Sequence, residues 1–139
     1  MTYRVIQWAT GNVGRAAVEG VVNHPELELV GAWVHSDAKA GRDVGEICGL
    51  EPIGVAATSN IDEILELDAD CVVYSPMLAQ PDDVMRLLRS GKNVVTPVGW
   101  VYPFHSKGFA EMEAACLDGG ATLHGTGIHP GGITERFPL

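Results

Sequence analysis

Basic residues are scarce in this chain, and the groups that build disulfide frameworks or metal centres are scarcer still. Lysine and arginine total 9 against 18 aspartates and glutamates, a formal net charge of −9. Such a chain lacks the basic face that neutralises a phosphate backbone, so no nucleic-acid partner is expected. A few local cations can still serve one bound nucleotide. The three cysteines, Cys48, Cys71 and Cys116, are odd in number and form no C-x-x-C pair. They fit reduced thiols in the cytoplasm better than a disulfide framework. No apolar run approaches the ~18–20 residues that cross a membrane, and the N-terminus passes straight into a strand-like run without a signal peptide. Neither H-E-x-x-H nor G-x-S-x-G occurs, and His24, His35, His105, His124 and His129 are scattered. A metal site and a hydrolase nucleophile are therefore not expected.

What the chain does have is glycine, 17 of them, clustered at the ends of apolar runs. The 139 residues, 46% hydrophobic and 19% charged, suit one packed α/β domain. Strand-like runs at Tyr3–Trp8 and Leu27–Val34 flank a helix capped by Asn12 or the turn before it and running to about Asn23, with Val13, Ala17 and Val21, joined by Val18 and Val22, as its apolar stripe and Pro25 past its end. A short helix near Asp43–Cys48 and a short strand over Ile53–Ala57 follow. Asn60 and Glu63 form a capping box for a brief helix to Leu67. Cys71–Tyr74 is a fourth strand, Pro81 to Gly91 a helix with proline at its start, and Asn93–Thr96 a fifth strand. Ser106–Asp118 is a last helix, stopped by Gly119-Gly120, before a sixth strand at Thr122–His124. This alternation predicts a Rossmann-type doubly wound parallel sheet, a single three-layer α/β domain with strand order 3-2-1-4-5-6. Residues 1–130 make the dinucleotide-binding domain. Residues 131–139 read as the start of a substrate domain that is truncated or absent.

The candidate site is the turn Ala9-x-Gly11-x-x-Gly14, between the first strand and the first helix. Thr10, Gly11, Asn12, Val13 and Gly14 would bring backbone N–H groups and the positive end of the helix dipole to a pyrophosphate. Alanine replaces the first glycine of the usual G-x-G-x-x-G, and Ala9 can make the turn if its φ is negative. About 20 residues on, where an acid would mark NAD, the strand ends in His35-Ser36. Ser36 with Lys39 or Arg42 suits a 2′-phosphate and favours NADP; Asp37, one or two positions late, could serve NAD. Ser75-Pro76 and Thr96-Pro97, at the carboxyl ends of the fourth and fifth strands, should line the nicotinamide side. Gly125 to Gly132 reads as a hinge or as backbone approached closely by a ligand, with His129 exposed. No catalytic proton donor can be assigned.

Several motifs occur together: Val5-Ile-Gln-Trp-Ala-Thr-Gly-Asn-Val-Gly-Arg15, Leu29-Val-Gly-Ala-Trp-Val-His-Ser36, Gly41-Arg-Asp-Val-Gly45, Ser90-Gly-Lys-Asn-Val-Val-Thr96 and Gly125-Thr-Gly-Ile-His-Pro-Gly131. As a set they resemble the N-terminal domain of dihydrodipicolinate reductase-like proteins, nearest to the 2,4-diaminopentanoate dehydrogenase and native amine dehydrogenase branch. The resemblance implies an oxidoreductase with NADP or NAD gripped by residues 10 to 14, by His35-Ser36 and by the loop at Ser75. It implies hydride transfer with a C=N or C=O substrate, and a second domain that supplies most substrate contacts and the interface of a homo-oligomer. Val98-Gly99-Trp100 stand where the amine-forming members carry a glutamate. The turn is also similar to that of short-chain dehydrogenases, but Tyr102 and Lys107 do not make their Tyr-x-x-x-Lys. Nor are Cys71, in a strand, and Cys116, in a helix, placed as the loop nucleophile of aspartate-semialdehyde dehydrogenases. The alternative to an oxidoreductase is a nucleotide-binding or regulatory module without turnover.

Overall fold

The structure, a computed structural model, describes residues 1–105, 107–129 and Ile133. Six parallel strands form one sheet in the order β3-β2-β1-β4-β5-β6, as the strand–helix alternation predicts. Its strands are β1 (Tyr3–Trp8), β2 (Leu27–Trp33), β3 (Ala57–Thr58), β4 (Cys71–Tyr74), β5 (Asn93–Thr96) and β6 (Leu123–Gly125). The helices are α1 (Asn12–Val22), α2 (Val44–Cys48), α3 (Ile61–Glu66), α4 (Pro81–Arg89) and α5 (Phe109–Gly119). The proposed boundary after residue 130 and the start of the last helix at Ser106 fall outside the described residues. Among those described, no helix is long and apolar enough to cross a membrane.

Alternation along β1 separates two cores. Val5 joins Val18 and Val21 of α1 and Val44 and Ile47 of α2 on one face. Ile6 and Trp8 face the other way, with Ile64 of α3 and Val84, Leu87 and Leu88 of α4. Each fully buried leucine or isoleucine here contributes about 1.5–3 kcal/mol relative to exposure. A slip of register between Val5 and Ile6 against β2 accommodates one extra β2 residue and keeps Ala32 under the first core.

Beyond shifts of one or two residues at other element ends, three features differ from the sequence expectation. The third strand is only Ala57–Thr58, because the preceding residues are drawn to Asp43: Ile53 and Gly54 donate their N–H groups to its carboxylate at 3.1 and 2.8 Å. The buried stripe of α1 is Gly14, Val18 and Val21, while Val13 is 58% exposed. Val18 and Val21 are buried as expected, and Gly14, seated on the strand end, takes the place in the stripe expected of Val13, while Val22 is exposed. The last helix begins at Phe109, after a 3₁₀ turn at Pro103–His105. The capping of α3 also differs in detail. Asn60 accepts from the Asp62 N–H, but its own N–H goes to Thr58 Oγ1, and Glu63 accepts from the side chains of both.

Candidate functional site

Strand β1 ends in a turn that departs from expectation at its first residue. Ala9 has φ +72, the left-handed region that an alanine enters at a cost of about 1–2 kcal/mol. The expected negative φ is thus corrected: Ala9 adopts the backbone of the glycine it replaces. Its N–H is bonded to the Trp33 carbonyl at 2.9 Å. Its carbonyl accepts from Gln7 Nε2 at 2.8 Å. Gly14 shows why the carbonyl needs that restraint. A Cβ at Gly14 would lie 2.1 Å from Ala9 O, so α1 rests directly on the turn and only glycine allows it.

Gly11 is the N-cap of α1, with φ −74 and ψ −170, and it makes no side-chain cap. Of the two expected caps it is thus the turn that serves, and Asn12 is already inside the helix and exposed. No acidic residue stands in the first turn. The other helices differ: α2 is capped by Asp43 and α3 by Asn60, while α4 and α5 carry acids in their first turns. Among the described residues the first N–H groups of α1 therefore have no anionic partner, in a position where the helix dipole favours one. A Cβ at Gly11 would meet nothing within 4 Å, so the space above the turn is open. The turn fits a pyrophosphate.

Lys39 brings a cation to this turn, its Nζ donating to Thr10 Oγ1 at 3.1 Å. Thr10 is 4% exposed. Arg15 belongs to the same basic neighbourhood. Burial raises the Cys48 thiol above its ordinary range, and Arg15 and Lys39 both oppose that rise. His35 and Ser36 lie exposed just past β2, with the His35 ring 6.0 Å from Trp33. Trp33 in turn stacks on Trp8, with ring centroids 4.5 Å apart and planes at 17°. A cleft of about 560 Å³ opens here between Trp33 and His35 on one side and Pro76, Met77 and Leu78 on the other. Asp83 lies on its wall. Burial raises the Asp83 carboxyl, while Arg86 lowers it and Asp82 raises it further. A larger cleft, about 650 Å³, runs along the β2–β3 edge.

Not every candidate presents its side chain. Ser75 is 7% exposed and turned inward, its Oγ accepting from Gln7 Nε2 at 2.8 Å and donating to the Trp8 carbonyl at 3.4 Å. Thr96 is fully buried, and its Oγ1 accepts from the Val98 N–H at 3.0 Å. Gly125 is approached by the chain itself: a Cβ there would meet Trp100 O at 2.6 Å. His129 is exposed, and Pro130 to Gly132 fall outside the described residues. Lys92 of the Ser90–Thr96 motif is a structural tie, donating to the Leu65 carbonyl at 2.7 Å at the end of α3. Residue-by-residue reading misses Gln7. It is 1% exposed and gives its amide to the carbonyls of Trp8 and Ala9 and to Ser75 Oγ. The signal was a lone amide within the apolar run Val5–Trp8 of the central strand.

Comparison with known proteins agrees with this geometry. Residues 5–97 match the family described as "Dihydrodipicolinate reductase, N-terminus". An amine dehydrogenase of Streptomyces virginiae is 38% identical over 146 residues, covering 96% of this chain and 40% of that protein. A 4-hydroxy-tetrahydrodipicolinate reductase of a Synechocystis strain is 35% identical over 63 residues, covering 45% of this chain and 23% of that protein. The solved amine dehydrogenase of Mycobacterium smegmatis superposes with a TM-score of 0.86 at 26% identity, covering 93% of this chain and 40% of that one. The chain thus spans 40% of the length of these amine dehydrogenases. An uncapped helix N-terminus at the end of β1, in a sheet of this order and with these relatives, has one reading: the chain belongs to the dihydrodipicolinate reductase N-terminal family, as its dinucleotide-binding domain.

Proposed function

We propose that this chain binds NADP(H) as the cofactor half of an oxidoreductase that exchanges hydride with a C=N or C=O group. The observation that carries the reading is the bare N-terminus of α1 above the Ala9–Gly14 turn. A bound nicotinamide would supply the hydride. The chain's own part is to bind and orient. The amides from Gly11 to Gly14 and the α1 dipole take the pyrophosphate. Lys39 and Ser36 attract a 2′-phosphate, and no acid stands at positions 35 and 36 to repel it. The cleft between His35 and Pro76 has the apolar walls and the room to hold the adenosine end. The strand-end loops at Ser75-Pro76, Thr96-Pro97 and Thr126-Gly127 face the nicotinamide, as ligands lie outside the carboxyl ends of such sheets.

The amine dehydrogenase relatives favour a C=N substrate. Val98, Gly99 and Trp100 supply no ionisable group on that side, so the reacting proton comes from elsewhere. We place the start of a substrate domain at residues 131–139, by analogy with relatives more than twice as long. We further propose a cytoplasmic homo-oligomer with its contact in that domain.

Titration with NADPH and with NADH, followed by nicotinamide fluorescence, tests the reading. NADPH should bind about tenfold tighter or better, equivalent to ~1.4 kcal/mol. Tight binding without turnover would identify a cofactor module. Failure of both nucleotides to bind at millimolar concentration would remove the premise.

A further inference from the structure

Gln7 is an expensive residue for its position. It lies in the central strand at 1% exposure, and its Oε1 is buried with no hydrogen-bond partner among the described residues. An apolar side chain of similar size would leave no such orphan. Its amide nitrogen, by contrast, has three acceptors within reach: Trp8 O at 3.0 Å, Ala9 O at 2.8 Å and Ser75 Oγ at 2.8 Å. Trp8 O has a second donor in the Ser75 N–H at 3.1 Å. The Ala9 carbonyl is the one that projects under Gly14, and Ala9 is the residue held at φ +72.

We propose that Gln7 is a positioning residue, whose buried amide clamps the Ala9 carbonyl to the loop after β4 and so holds the first turn of α1 at the height that receives a dinucleotide. This rests on the proposed dinucleotide binding. Without the clamp an alanine relaxes toward negative φ, and the Ala9 carbonyl leaves the surface on which Gly14 is seated. The α1 amides then no longer converge on one anion. The orphaned Oε1 follows from the same arrangement: a side chain whose nitrogen must reach three acceptors has no freedom to find a donor for its oxygen.

The test compares Gln7→Leu, Gln7→Glu and the double variant Gln7→Leu/Ala9→Gly in the full chain, with NADP⁺ binding measured by calorimetry. Gln7→Leu should weaken NADP⁺ by about tenfold or more with an unchanged circular dichroism spectrum. Adding Ala9→Gly should restore most of that loss, because glycine holds φ > 0 without a clamp. Gln7→Glu should bind weakly at pH 8. Relative to wild type, it should tighten toward pH 5.5 as the buried carboxyl gains a proton and regains a donor. Should Gln7→Leu fail to fold, this pH profile carries the test. Binding by Gln7→Leu within twofold of wild type overturns the inference alone. So does a loss that Ala9→Gly leaves unrepaired together with a Gln7→Glu profile parallel to wild type, since both are what a packing role gives. If the wild-type chain binds neither NADP⁺ nor NADPH, the underlying reading fails and takes the inference with it.

Discussion

The N-termini of α1 and α2 are built alike and finished in opposite ways. Each is seated through a glycine on a carbonyl: a Cβ at Gly14 would lie 2.1 Å from Ala9 O, and one at Gly45 would lie 2.2 Å from Glu51 O. At α2 the chain supplies its own anion. The Asp43 carboxylate accepts from the N–H groups of Gly45, Glu46, Ile53 and Gly54. Desolvation works to raise the Asp43 carboxyl, but these four bonds outweigh it and hold it below its ordinary range. At α1 there is no carboxylate, no side-chain cap, and a lysine bonded to the turn instead. One end is complete as a structure. The other, on the proposed reading, is completed by an anion from outside, which is how a binding site would differ from a turn of the same shape.

Closing the α1 cradle should break the contrast most severely. Gly14→Ala forces the helix off Ala9 O, and NADPH affinity in a fluorescence titration should fall about 100-fold or more, ~2.7 kcal/mol. Giving α1 an anion of its own comes next. Gly11→Asp places a carboxylate at an N-cap of extended backbone with open space around its Cβ. Thermal unfolding should show a gain of about 0.3–1 kcal/mol, while NADPH affinity falls about tenfold. Opposite signs from one substitution are the mark of a helix end reserved for a ligand.

Removing the cation is a smaller change. Lys39→Met should weaken NADPH by about three- to tenfold and leave NADH within about twofold, if the 2′-phosphate is what Lys39 meets. At α2, Asp43→Asn should leave both affinities unchanged and lower the Tm at pH 7. The sign follows from the depressed carboxyl. Its contribution is fully present above the unfolded value of about 3.9 and is lost as pH falls through the lower folded value. The Tm gap between wild type and Asp43→Asn should therefore close as pH falls below about 4.

The sheet order, and the gathering of the candidate residues at the strand ends, were legible in the sequence because the signals are local. Strand runs ending in glycine or proline set the elements, and short right-handed crossovers set their order. Thr10 to Gly14, His35, Ser36 and Lys39 gather at the carboxyl ends of β1 and β2 for the same reason. What escaped depends on partners remote in sequence. The φ of Ala9 is held by Gln7, whose amide reaches Ser75 across 68 positions. The third strand shrinks because Ile53 and Gly54 turn to Asp43, ten and eleven positions away. Ser75 and Thr96 were identified by their place at strand ends, but the direction of a hydroxyl depends on what packs around it. Theirs point into the protein.

On the proposed reading, the uncapped amides at the start of α1 receive the cofactor's pyrophosphate. The most direct measurement is a set of ¹H–¹⁵N correlation spectra of the labelled chain during addition of NADPH. The amides of Gly11, Asn12, Val13 and Gly14 should shift most, saturating with the fluorescence titration, while those of Gly45, Glu46 and Gly54, already bonded to Asp43, stay in place. Saturable shifts centred on the α2 end or the β2–β3 edge, with Gly11 to Gly14 unmoved, would contradict it.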